Sequence, residues 1–147
     1  MMTKYFALNW VTLYKPGDLA ASTNSGKYLD FNISGESLKE YLGISTDNSV
    51  TPFGWFLNKS EQSKALKEFR LQTKPHLADN RIEIYICNEC GDIGCGSVTV
   101  QIHDRGEKIV WAKFAKQHNP DEISSLFDVE DLELERTSYF AALAVIK

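Results

Sequence analysis

"RIEIYICNECGDIGCGSVTVQIHDRGEKIVWAKFA", residues 81–115, is the stretch whose reading decides the fold. In RIEIYIC, Ile82, Ile84 and Ile86 alternate with Arg81, Glu83 and Tyr85. In SVTVQIH, Val98, Val100 and Ile102 alternate with Thr99, Gln101 and His103. A period of two sends neighbouring side chains to opposite faces, the pattern of a half-buried antiparallel strand. Asp104-Arg105-Gly106-Glu107 is a hairpin turn signal, and KIVWAKFA at 108–115 is the returning strand. Residues 81–115 therefore predict a three-stranded meander, with the cysteine stretch CNECGDIGCG as its first connection.

Outward from the meander, YFALNWVTLY at 5–14 reads as a strand that stops at Pro16-Gly17. ASTNSGK at 21–27 is loop, and Tyr28, Phe31 and Ile33 suggest a short second strand. Ser34 precedes GESLKEYLG, where Leu38, Tyr41 and Leu42 recur at helical spacing and Gly43 makes a stop. FGWFL after Pro52 is a short aromatic strand or a packed loop. Asn58 or Ser60 is placed to cap a helix over 61–72, with Ala65, Leu66 and Phe69 as its buried stripe. LFDV and LEL, after Pro120, read as short strand or irregular chain. Thr137 is placed to cap a closing helix, SYFAALAVI, that packs through Tyr139, Phe140, Leu143 and Ile146. Trp10, Trp55 and Trp111 are expected in the core or at an element edge. The expected fold is α+β: one domain over 1–147, an antiparallel sheet including the meander, and two or three packed helices.

A chain of 147 residues can bury a continuous core without disulfide staples. Its 43% apolar and 24% charged content is that of an ordinary globular protein, and 12% aromatic content argues against disorder. No run approaches the roughly 18 apolar residues of a membrane helix. Lys4, Asn9 and Thr12 interrupt the apolar start, so no signal peptide is expected. A cytoplasmic location follows as the expectation, with no membrane partner. The net charge of −4 is unevenly spread. Asp121, Glu122, Asp128, Glu130, Asp131, Glu133 and Glu135 face Arg136 alone within 120–136. Such a segment repels phosphate backbones and attracts a basic partner, so nucleic-acid binding is not expected.

The cysteine loop carries three readings. Cys87-x-x-Cys90 is half of a zinc knuckle, with Cys95 as a third ligand and His76, His103, His118 or Asp92 as a fourth; no second Cys-x-x-Cys exists. A redox dithiol wants a helix N-terminus, whereas this pair falls between two strands beside Glu89 and Asp92, which disfavour the thiolate. The preferred reading is packing: Gly91, Gly94 and Gly96 supply the positive φ of a bulged hairpin, and small thiols fill space beneath it. A Cys95–His103 pair across a hairpin is conceivable, but a solvated histidine explains His103 as well. No phosphate-binding glycine loop, His-Glu-x-x-His or Gly-x-Ser-x-Gly occurs.

The run "YICNECGDIGCGSVTVQI" followed by "IVWAKFA" resembles an uncharacterised family of small bacterial proteins. That family has a Cys-x-Glu-Cys-Gly-Asp-x-Gly-Cys-Gly core ahead of a Val-Trp-x-x-Phe strand. The likeness covers about 82–115 and extends to the closing helix from Tyr139 to Leu143. Some members carry an oxidoreductase label. The resemblance supports the hairpin and carries over no catalytic residue.

Size, cytoplasmic character and the acidic segment together resemble bacterial immunity proteins, including those of contact-dependent inhibition and polymorphic toxins, which cover the active site of a cognate toxin. The expected function is therefore that of a non-enzymatic toxin inhibitor. Its partner would be a basic toxin, a nuclease and in particular a ribonuclease, whose cleft accepts carboxylates in place of phosphates. The contacts expected are Asp128, Glu130, Asp131, Glu133 and Glu135, then Asp121 and Glu122. No cofactor is expected on this reading. The alternative is a small metal-binding or thiol-dependent enzyme built on Cys87, Cys90 and Cys95, with zinc as its metal. A solvated loop accounts for the acidic run equally well.

Overall fold

The computed structural model describes residues 3–12, 27–45, 48–54, 59–87 and 93–146, with the side chain of Lys59 left aside. Pro16-Gly17, Trp55, Asn58, Glu89, Cys90, Gly91 and Asp92, all of which figure in the reading above, lie outside the described residues. The fold is α+β. Strands β1 (Phe6–Thr12), β2 (Lys27–Ile33) and β3 (Glu36–Ser37) form an antiparallel sheet in that order. Helix α1 (Leu38–Leu42) follows, then α2 (Lys59–Phe69). The second sheet has the order β4 (Arg81–Tyr85), β5 (Ser97–Asp104), β6 (Lys108–Asn119), β7 (Glu122–Leu126), with β8 (Leu132–Glu135) also paired to β6. Helix α3 (Arg136–Leu143) closes the described chain.

The meander forms where alternation places it. Its strand β6 runs twelve residues, past Ala115 to Asn119. The first half pairs with β8 and the second half with β7, so two successive strands share one edge. One expectation fails on β4. Tyr85 is fully buried rather than outward-facing with Arg81 and Glu83. The register shifts between Glu83 and Tyr85, which pair with Thr99 and Val98. That bulge brings Tyr85 onto the face of Ile82, Val98 and Val100. The opposite face is polar but also covered. Arg81 is buried, donating through Nε to Thr99 Oγ1 at 2.9 Å and through Nη2 to the Lys113 carbonyl. Thr99 Oγ1 meets Gln117 Oε1 at 2.8 Å. These bonds satisfy side chains that burial would otherwise penalise.

Trp111 sits at the middle of the core. Its ring lies 5.2 Å from Phe31, 5.5 Å from Phe6, 5.9 Å from Phe69 and 6.2 Å from Tyr139, which joins both sheets to α2 and α3. Trp10 does not join this cluster and is 61% exposed. Its ring caps Gly54 instead, where an added Cβ would lie 2.8 Å from Trp10 Cζ3. Phe69 is buried and Ala65 and Leu66 are partly so, as the α2 stripe predicts. Gly43 ends α1 at φ 74, as expected, and Ser37 caps its start. Helix α3 is entered from Glu135, without a side-chain cap from Thr137. The chain before β1 seals the outer edge of β8: Lys4 N–H donates to Glu133 O at 2.7 Å, and Glu135 N–H to Lys4 O at 2.8 Å.

Candidate functional site

The acidic segment is built on the far half of β6. Asn119 Oδ1 accepts the amides of Asp121 and Glu122 at 3.0 and 3.2 Å, an Asx turn that folds the chain back into β7. Asp121 and Glu122 thus stand at the tip of the β6–β7 hairpin. Asp128, Glu130 and Asp131 follow the other end of β7, and Glu133 and Glu135 lie on β8. All but Glu133 are exposed.

The seven carboxylates are not equivalent. Glu133 pairs with Lys108 at 2.9 Å, and Asp131 Oδ1 accepts the Lys113 amide at 3.3 Å. Lys113 has φ 57, a conformation its neighbour Asp131 helps to hold. Asp121, Glu122, Asp128, Glu130 and Glu135 form no ion pair with a described residue. Their field reaches nearby groups. Partial burial, and then the charges of Glu130 and Asp131, push the Tyr41 phenol above its ordinary pKa, while its hydroxyl donates to Glu130 O at 2.7 Å.

The cysteine loop leads to a different place. In the described part of the connection, a 3₁₀ turn at Ile93–Cys95 enters β5. Gly96 adopts φ 100, as expected of a turn glycine, whereas Gly94 does not take positive φ. Cys87, half-buried, and Cys95, exposed, line a cavity of about 320 Å³ with Tyr85, Ser97, Lys116 and His118. His118 Nδ1 lies 2.9 Å from Ser124 Oγ, which ties this cavity to β7. Of the three histidines, the structure therefore brings His118 to the thiols. His103 lies at the far end of β5 from Cys95, so the Cys95–His103 pair does not form. His76 is elsewhere. Among the described residues, no three His, Cys, Asp or Glu side chains are grouped to hold a metal ion.

Sequence reasoning missed two polar clusters, one buried and one reaching the surface. Asp30, 5% exposed in the middle of β2, accepts Tyr85 Oη and Ser37 Oγ, each at 2.6 Å. Burial, then Asp30, hold the Tyr85 phenol well above its ordinary pKa, so Tyr85 stays a neutral donor on the cavity wall. Lys39 is buried beside them, donating to Ser49 O at 2.6 Å and lying 5.3 and 5.4 Å over the Tyr28 and Tyr85 rings. An acid amid the apolar positions of YLDFNI was the available signal. In the second cluster, His76 Nδ1 meets Glu68 Oε2 at 2.8 Å and Nε2 meets Glu83 Oε1 at 3.4 Å. Glu83 also accepts Ser97 Oγ at 2.7 Å.

No helix among the described residues is long and apolar enough to cross a membrane. Compared with protein-family models, curated proteins and solved structures, the chain has no significant match in any of the three.

Proposed function

We propose that this chain is an immunity protein: a non-enzymatic, cytoplasmic inhibitor that covers the active site of a basic toxin, a ribonuclease in particular. The observation that carries the reading is the set of five exposed carboxylates that form no ion pair with a described residue, Asp121, Glu122, Asp128, Glu130 and Glu135, on the side of β6 that carries β7 and β8. Exposed like charges left uncompensated raise the local potential, and that potential speeds encounter with a cationic cleft. Asp131 and Glu133 are structural as well as acidic, so they serve the interface less directly than the other five. The test is a search of the genes adjoining its own for a secreted toxin, followed by co-expression with the toxin domain so found. The expected result is restored growth and a stoichiometric complex. Undiminished toxicity with the protein present at equal abundance overturns the reading.

A second reading rests on one observation, the meeting of His118 with Cys87 and Cys95 around one cavity. It makes the protein a small zinc-binding or thiol-dependent enzyme. Metal content of protein purified without added metal decides it. Near-stoichiometric zinc that is lost in Cys87→Ser supports this reading, and absence of zinc from both proteins removes its metal form.

A further inference from the structure

Strand β7 is an edge that the described residues leave open. All five of its residues are exposed, and its backbone bonds run to β6. The other strand on that side of β6 is sealed: Lys4 covers β8 with two backbone hydrogen bonds. No described residue does the same for β7. An edge of unpaired amides and carbonyls is a template for another strand, and folded proteins usually blunt it with lysine, proline or a covering segment. EISSL contains none of these protections apart from an irregular register.

That irregularity shapes the edge. Ile123 opposes Gln117, Ser125 opposes Lys116 and Leu126 opposes Ala115. The extra residue, Ser124, is drawn to His118. Ile123 and Leu126, 37% and 59% exposed, therefore share the face of Ala115 and Gln117. Carboxylates bracket the strand, Asp121 and Glu122 at one end, Asp128 and Glu130 at the other.

We infer that β7 receives an extended segment of a basic partner protein, which adds to the sheet as a sixth strand. The inference rests on the immunity reading and specifies how the partner docks. Backbone pairing supplies binding that is independent of partner sequence, and side chains supply choice. The complementary segment carries an aliphatic residue to cover Ile123 and Leu126, and Lys or Arg at both ends. A second copy of this chain fits worse. Antiparallel self-pairing about Ser124 sets Asp128 of one copy against Pro120 of the other, beside its Asp121 and Glu122. Each end of that ribbon then gathers like charges, which destabilises it.

The test uses a synthetic peptide, Lys-Lys-Val-Thr-Val-Thr-Val-Lys-Lys, titrated into the isotopically labelled full chain and followed by amide shifts and hydrogen exchange. Slowed exchange confined to 122–126 is expected, with affinity falling about tenfold in Leu126→Pro: Phe127 N–H bonds inward to Phe114 O, so by strand alternation the Leu126 N–H is the donor on the open edge. Ile123→Lys is a second variant, exposed and remote from the core, and it weakens binding by charge. Unchanged shifts in β4 and β5 verify that each variant folds. Salt-sensitive binding that leaves 122–126 exchanging as before, or is unaffected by Leu126→Pro, overturns strand addition while the acidic-surface reading stands. No binding at low salt counts against both. Protection of 122–126 by dimerisation of the chain alone, measured by sedimentation, overturns the basic-partner assignment.

Discussion

His76 holds an imidazolium between two carboxylates, and it makes stability depend on pH. Hydrogen bonds to Glu68 and then Glu83 outweigh its partial burial and raise its pKa from 6.5 to about 10. The folded state thus binds this proton more tightly than the unfolded chain. Its contribution is fully present below about pH 6.5 and is lost as pH rises through about 10. The side chain is 60% exposed, so solvent screening keeps the gain modest. Urea denaturation of the wild type and His76→Gln across this window is expected to show the wild type's advantage shrinking with pH. A constant difference would contradict the assignment. Gly96 is constrained twice, by φ 100 and by His118 Nε2, which would lie 3.3 Å from an added Cβ. Gly96→Ala is expected to cost about 1–2 kcal/mol in thermal unfolding and to displace His118. An unaltered melting temperature would show that the turn relaxes.

At the scale of elements, alternation made β4, β5 and β6 legible, because each buries one consistent face over several residues. It failed at Tyr85, since one bulge reverses the phase and no residue type announces it. Strand β7 was invisible for another reason. Every residue of EISSL is exposed, so no buried face imprints a period on it. Helix α1 was legible through Gly43, while α3 begins without the hydroxyl cap that Thr137 suggested. The acidic segment could be counted in the sequence, but the exposure and pairing of its members could not. Lys108 lies 25 residues from Glu133 and meets it only because β6 and β8 pair. His118 reaches the cysteines by the same kind of long-range pairing, between β5 and β6.

Across the whole molecule, one aromatic cluster joins two sheets and two helices, and the acidic hairpin projects from the far half of β6. Trp111, fully buried, is the common neighbour of Phe6, Phe31, Phe69 and Tyr139. Trp111→Ala is expected to cost about 3–5 kcal/mol in urea denaturation, the range for emptying a large aromatic site. A loss under about 1 kcal/mol would mean that the core closes over the space. The hairpin carboxylates contribute little to that core, which separates binding from folding. The most direct measurement is therefore the association rate with a basic ribonuclease toxin domain that the chain is found to neutralise on co-expression, for the wild type and for Asp121→Lys/Glu122→Lys/Asp128→Lys, at low and high salt. The account predicts at least a roughly tenfold slower association for the variant at low salt, a gap that narrows as salt rises, and an unchanged unfolding midpoint. Equal rates for two equally folded proteins would contradict it.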